Sequence, residues 1–259
     1  MNKNLIIGGF TNYGINQLKP WVLSAKEVAG DNTDVVLVYG NTSKETLDWL
    51  AEQGVKLFPM AQVDRSVPVH VLRFLSIYEY LRKNWAQYEY VVTTDVKDVY
   101  FQDDPFKIFA RMLQWTVNKN KKLVIASEGL SYCDEPWGNE NLYQAYGPYV
   151  YELFKDETIY NVGTFGGASE YVKDMVFNIF TNAINRPIPI CDQAVFNVLI
   201  NTQPFKDIVH QTSRWACEAG TVADPSKIEG FRPKLQCVEP TFEDGVVKYD
   251  GTPFAIVHQ

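Results

Sequence analysis

Short apolar runs rich in β-branched residues alternate along the chain with longer amphipathic stretches. NLIIGG (4–9), DVVLVYG (34–40), VKLFPM (55–60), YEYVVTTD (88–95) and KKLVIASEG (121–129) each place contiguous apolar residues between polar or glycine positions. Such runs predict strands buried on both faces. Between them, NQLKPWVLSAKEVAG (16–30) reads as a helix that bends or starts at Pro20. Thr42 with Glu45 has capping-box spacing and predicts a helix over 43–53. In 67–85 the apolar residues Val71, Leu72, Leu75, Ile77, Tyr78 and Leu81 form an i, i+3, i+4 stripe, hence a long helix. Asp104 before Pro105 reads as the N-cap and first position of a further helix. Strands alternating with crossover helices predict an α/β fold built on a mostly parallel central sheet flanked by helices. Ligands of such sheets lie beyond the carboxyl ends of the strands.

Past residue 130 the pattern loosens and becomes more aromatic. A glycine-rich segment, NVGTFGGASEYV (161–172), reads as a turn before a helix near Ser169, and CDQAVFNVLIN (191–201) opens another helix. A loop-rich stretch follows to residue 253, and PFAIVHQ closes the chain. No repeat, low-complexity tract or linker divides it, so one domain over 1–259 is expected.

Composition narrows the partners. The 259 residues are 46% hydrophobic, enough for a sizeable core, and 24 basic against 31 acidic residues leave a net charge of −7. A nucleic-acid partner is disfavoured, since it needs a basic face, whereas a single nucleotide needs only a local patch or a cation. No run reaches the ~18 apolar residues of a membrane span. The apolar run near the N-terminus is too short for a signal peptide. Cys133, Cys191, Cys217 and Cys237 lack zinc or redox spacing. A cytoplasmic protein with reduced thiols is expected, in which Cys217 and Cys237 would pair only on export.

The stretch YEYVVTTDVKDVYFQDDPF (88–106) packs four aspartates behind an apolar run. Asp104 caps the helix opening at Pro105, and Asp103 adds favourable charge beside the same N-terminus. Asp95 and Asp98, three apart where a strand leaves the sheet, are either a solvated turn or two carboxylates sharing a divalent cation. Glu128 is another strand-end carboxylate, a loop residue in an ion pair or a general base. Arg73 either snorkels from its helix or meets a phosphate or uracil. Asp192 is a helix cap or a ligand. Trp137, Tyr143, Tyr146, Tyr149 and Trp215 are core residues or a stacking platform for a sugar.

VVTTDVKDVYFQDDPF resembles the metal-binding motif of GT-A fold, nucleotide-sugar-dependent glycosyltransferases, in the variants reading TDxRDVxFQxDPF. Its carboxylates are three apart, unlike the common Asp-x-Asp form. NVGTFGG resembles the segment lining the donor sugar pocket in this family. CDQAVFN resembles the Asp-Gln segment of retaining galactosyltransferases of bacterial lipooligosaccharide synthesis. HVLRFLSIYEYL resembles the helix whose arginine faces the nucleotide, and PFAIVHQ the terminal motif whose histidine completes the metal site. Taken together, these motifs are most similar to glycosyltransferase domains of large algal viruses (chloroviruses) and related bacterial polysaccharide loci.

The resemblance implies a metal-dependent hexosyltransferase moving galactose or glucose from a UDP-sugar to a glycan acceptor, by retention rather than inversion. Residues up to about 130 would bind the nucleotide and 131–259 the sugar and acceptor. Asp95, Asp98 and His258 would hold Mn²⁺ or Mg²⁺; a mixed Asp/His set suits Mn²⁺ better than Ca²⁺. Phe10, Thr11, Tyr13, Arg73 and Thr94 would face the nucleotide, and Asn161, Gly163, Gly166 and Gly167 the sugar. Asp192 and Gln193 would serve retention, and Glu128 would be the base of an inverting enzyme. The host cytoplasm is the implied location for a viral chain, and the domain would be one cut from a longer protein. A non-catalytic binding module of the same fold is the alternative. A sugar nucleotidyltransferase is disfavoured, for no glycine-rich, basic loop follows the first strand.

Overall fold

A computed structural model describes residues 2–63, 67–115, 120–222 and 224–259. The elements run β1 (Lys3–Phe10), α1 (Ile15–Val28), β2 (Thr33–Tyr39), α2 (Lys44–Glu52), β3 (Lys56–Pro59), α3 (Val69–Asn84), β4 (Tyr88–Thr94), β5 (Val99–Phe101) and α4 (Pro105–Trp115). They continue with β6 (Leu123–Ser131), α5 (Pro136–Phe154), β7 (Thr158–Ala168), α6 (Ser169–Ala183), α7 (Asp192–Ile200), β8 (Val209–Thr212) and β9 (Ala216–Glu218). Then come β10 (Thr241–Glu243), β11 (Val246–Tyr249), β12 (Thr252–Pro253) and β13 (Ile256–His258).

The central sheet has the order β3-β2-β1-β4-β7-β6-β8. Its first four strands are mutually parallel, β7 runs against both β4 and β6, and β8 runs parallel to β6. Alternation along each strand divides the core into two layers. Leu5, Ile7, Val36, Val91 and Ile125 pack with Phe74 and Ile77 of α3 and with Met175 and Ile179 of α6. Ile6, Val35, Leu37, Val92 and Val124 pack on the other face with Trp21 of α1, Leu50 of α2 and Phe109 of α4. Each aliphatic side chain so buried stabilises the fold by about 1.5–3 kcal/mol against its exposed state. Helices thus cover both faces, as the alternating pattern requires.

Two smaller sheets are also present among the described residues. β13 is the middle strand of one, antiparallel to β5 and parallel to β9, with His258 opposite Val99 on one side and Glu218 on the other. The other is the antiparallel ladder β10-β11-β12. Gln102 ties this ladder to the motif strand: its Oε1 accepts from Val247 N at 2.8 Å and its Nε2 donates to Val247 O at 2.9 Å.

Local expectations change in three places. Helix α1 begins at Ile15 and runs through Pro20. Ser43, not Thr42, caps α2, accepting from Thr46 N at 3.1 Å. Thr42 is drawn away because its hydroxyl donates to Tyr13 O at 2.9 Å, joining the loops after β1 and β2. The glycine-rich segment is no turn but the long strand β7, which leads directly into α6. Asp104 caps α4 as expected, accepting from Phe106 N at 2.9 Å, and Asp103 accepts from Lys107 Nζ at 2.9 Å.

Candidate active site

A cleft of about 500 Å³ crosses the carboxyl ends of β1, β4 and β6 and the facing part of β7. Strand β4 delivers Asp95 to its floor. Asp95 N donates to Gly163 O at 2.8 Å, extending the β4–β7 ladder one residue beyond β4 and fixing that turn. Asp98 is fixed from the other side, where its carbonyl accepts from Gln259 N at 2.9 Å. The ladder around β13 then brings His258 between them. Its Nε2 lies 3.8 Å from Asp95 Oδ2 and 3.7 Å from Asp98 Oδ1. One ligand atom from each of the three residues falls within 4.8 Å of the others.

Behind this trio stands a residue that sequence reasoning missed. Glu218, at the end of β9 and 3% exposed, has Oε2 2.8 Å from His258 Nδ1. The carboxylate pairs with the Nδ1 side of the ring and leaves Nε2 facing Asp95 and Asp98, the arrangement that orients metal-binding histidines. Burial alone would lower the basicity of His258, but Glu218, Asp98 and Glu128 outweigh it and hold the imidazole above its ordinary pKa. Two carboxylates and an oriented imidazole suit a borderline cation such as Mn²⁺, so the donor set fits a divalent metal. The available signal was a short apolar run ending in an acid, RWACE (214–218), the same form as VVTTD.

Gly163 explains its own side chain's absence. A Cβ there would lie 2.5 Å from His258 Cε1 and 2.9 Å from Asp95 Oδ2, so any larger residue would displace a member of the trio. Arg73 reaches the same spot from α3. Its guanidinium pairs with Asp95 through Nη1 and with Asp192 Oδ2 through Nη2 at 3.3 Å, linking the trio to the start of α7.

A second cluster forms around Glu128, which is 7% exposed. Its Oε1 accepts from Gln193 Nε2 at 2.9 Å and from Asn161 Nδ2 at 3.0 Å, while Asn161 Oδ1 accepts from Gly163 N at 2.6 Å. Burial, with the charge of Glu218 added, pushes the Glu128 carboxyl up to about 7 against the hydrogen bond from Gln193. At the far end, over β1, Phe10, Thr11 and Tyr13 line the cleft, and the Phe10 and Tyr13 rings stack at 6.5 Å.

The structure therefore brings together Phe10, Thr11, Tyr13, Arg73, Asp95, Asp98, Glu128, Asn161, Gly163, Asp192, Gln193 and His258. Three expected residues are outside the cleft lining. Thr94 points to the opposite face of β4 and accepts from Trp21 Nε1 at 2.8 Å in the core. Gly166 and Gly167 sit inside the sheet, where a Cβ would lie 2.5 Å from Val91 O and 2.1 Å from Lys122 O, and Gly167 has φ 150°. They allow strands to approach, and no sugar reaches them there. Of the five aromatics, Trp137 lines the cleft, while Trp215 is buried against Phe109 and the three tyrosines are outside the lining. All four cysteines are free. Among the described residues no helix is long and apolar enough to cross a membrane.

No protein-family profile matches the chain, and no curated protein matches it by sequence. Its fold is similar to solved structures. The apo structure of WbbM, a bifunctional glycosyltransferase, superposes with a TM-score of 0.56 at 11% identity, over 99% of this chain and 45% of WbbM. This chain thus spans less than half of that protein. The galactosyltransferase LgtC, in complex with donor and acceptor sugar analogues, superposes with a TM-score of 0.54 at 15% identity, over 98% of this chain and 86% of LgtC. Neither match speaks to the algal-virus part of the resemblance. With its seven-stranded sheet and flanking helices, the chain has the GT-A fold of these glycosyltransferases.

Proposed function

We propose that the chain is a glycosyltransferase that moves a hexosyl group from a UDP-sugar to a hydroxyl of a glycan acceptor, using a divalent cation held by Asp95, Asp98 and His258. The observation that carries this reading is the convergence of those three side chains, with Glu218 behind the histidine, at a strand end in the floor of the principal cleft. A cation bound there would neutralise the charge developing on the departing diphosphate.

The remaining roles follow from position. Tyr13 offers a ring for the uracil and Thr11 a hydroxyl, while Phe10, 1% exposed, backs the Tyr13 ring from the core. Arg73 places a fixed guanidinium between the trio and Asp192, where diphosphate meets sugar. Asn161, Gly163, Asp192 and Gln193 surround the space left for the hexose. In the transfer, the acceptor oxygen bonds to the anomeric carbon while the bond from that carbon to the diphosphate oxygen breaks. Under retention, the acceptor proton passes to that departing oxygen. Gln193 favours this reading, since it carries no base and its amide nitrogen is engaged by Glu128, leaving its carbonyl for the sugar side. The second reading is inversion with Glu128 as general base, favoured by a carboxyl held near neutrality, where proton transfer is most efficient.

The test is a thermal-shift screen of UDP-sugars with and without Mn²⁺, followed by UDP release in the presence and absence of EDTA. Metal-dependent stabilisation and EDTA-sensitive release are expected, both lost in Asp95→Asn with the fold retained. Binding without turnover over a broad acceptor panel would point to a non-catalytic module. NMR of the product anomer separates the mechanisms: an inverted linkage removes the Gln193 route and leaves Glu128.

A further inference from the structure

We propose that Trp137 and Ile190 form the platform on which the acceptor saccharide lies, binding the apolar C–H face of a hexopyranose at the β6 side of the cleft. This deepens the glycosyl-transfer reading and rests on it. Isolated apolar residues on a surface need no explanation. These two do, because of where they are. Trp137 is 53% and Ile190 45% exposed, and among the described residues they are the only exposed large apolar side chains in the cleft lining.

Topology places them away from the nucleoside end. The cleft passes from β1 over β4 and β7 to β6, three strand spacings, or about 14 Å. Phe10 and Tyr13 occupy its β1 end, the aspartates its β4 position, and Asn161 with Gln193 the β7 position. Trp137 follows β6, so a donor stretched from β1 to β7 would leave the Trp137 end free for a second sugar.

Both residues are also held in place. Glu135 caps α5, accepting from Trp137 N at 3.2 Å and Gly138 N at 2.5 Å, which fixes the backbone beneath the indole. Its carboxylate is spent on the helix end, so this rim offers a ring face more than a charge. Asn141 of α5 donates to Ile190 O at 2.5 Å and joins the two walls across the loop before α7. A pyranose has an apolar C–H face that stacks on an indole and hydroxyl edges that reach polar neighbours. The other aromatics have different partners: Arg186 covers Tyr146 at 3.7 Å, and Tyr143 packs edge-on against Tyr151 at 5.5 Å.

The experiment is saturation-transfer NMR on the chain loaded with UDP and diamagnetic Mg²⁺, using methyl β-D-galactopyranoside, methyl β-D-glucopyranoside and lactose as probes. UDP binding is read by calorimetry on the same samples. Saturation of ring C–H protons is expected for at least one saccharide. Trp137→Ala should weaken that saccharide about tenfold while UDP binding stays unchanged, since one well-placed aromatic contact is worth about that factor. Tyr149→Ala, an exposed ring outside the cleft, should change nothing. Equal saccharide affinity in wild type and Trp137→Ala overturns the platform, as does the absence of saturation for all three probes while UDP binds. Saccharide contact that depends on Trp137 in a chain that fails to bind UDP would sustain the platform and remove the transferase reading.

Discussion

Replacing Glu218 by Gln tests the carboxylate behind the histidine with little change of shape. In the folded chain Glu218 Oε2 sits 2.8 Å from His258 Nδ1 at a position only 3% exposed. The ion pair is therefore almost dry. Carboxylates in this position typically contribute 10–100-fold to metal affinity, and burial argues for the middle of that range or above. The Mn²⁺ dissociation constant should rise about thirtyfold, or about 2 kcal/mol. The fold should be nearly unaffected at pH 8, because a carboxyl whose pKa burial has raised is exchanged for a neutral amide.

The pH dependence has a definite sign. Metal binding needs neutral His258, and Glu218 raises the histidine pKa above its ordinary 6.5. Wild-type affinity should thus begin to fall, as pH drops, while the solution is still above 6.5. In Glu218→Gln that support is removed, the pKa falls, and the acid loss moves to lower pH. The affinity ratio between wild type and variant is therefore largest at pH 8 and narrows towards pH 6. Stability runs the other way: the His258–Glu218 contribution is complete below pH 6.5 and is lost as pH rises through the raised folded value. Mn²⁺ titration followed by electron paramagnetic resonance, with circular dichroism as the check on folding, reads the outcome. An unchanged Mn²⁺ affinity in a folded variant would refute the orienting role.

Glu128→Gln should stabilise the chain in alkali. With its carboxyl raised to about 7 from an ordinary 4.5, the folded state holds that proton more tightly than the unfolded state. The resulting penalty is absent below pH 4.5 and complete above 7, on the order of 3 kcal/mol. Melting curves should show the variant several degrees higher at pH 8 and level with wild type at pH 4; equal melting at both sinks the buried-carboxylate account. Gly163→Ala would place a methyl 2.5 Å from His258 Cε1, costing about 1–3 kcal/mol of stability and weakening Mn²⁺ binding. Calorimetry giving wild-type Mn²⁺ affinity would show that the trio is not held there. Thr94→Val removes the partner of Trp21 Nε1 and should cost about 1–3 kcal/mol in denaturant unfolding, with UDP affinity unchanged. A selective loss of UDP affinity would return Thr94 to the cleft.

How far the chain could be read in advance depended on sequence separation. Asp95 and Asp98 were legible because a strand and the turn leaving it are adjacent in sequence, so the pattern that predicts β4 also predicts a carboxylate at its end. His258 was reached mostly through the resemblance, since its position depends on β13 entering between β5 and β9, pairings more than a hundred residues long in one case. Glu218 was missed for the same reason: a three-residue strand carries no periodicity, a buried glutamate resembles an exposed one in sequence, and only the short run RWACE pointed to it. Thr94 was misplaced because strand alternation turns it to the face opposite its neighbour Thr93. Gly166 and Gly167 look like a turn when strand pairing is unknown, whereas the tight approach to Val91 and Lys122 needs the whole sheet.

The small sheet that carries His258 has a dynamic consequence. β13 is only three residues long, and its release would dismantle the proposed cation site while the central sheet stayed folded. Opening of this kind is sub-global and less costly than unfolding the domain. A ligand that binds only the closed form must shift that equilibrium by its own binding free energy. The amide of Gln259, which donates to Asp98 O, reports this opening directly. Its hydrogen exchange should slow when Mn²⁺ and UDP are added together, by a factor that grows with ligand concentration. In that sense the cation would act as a latch on the last strand, and the last strand as the gate through which the cation site is lost.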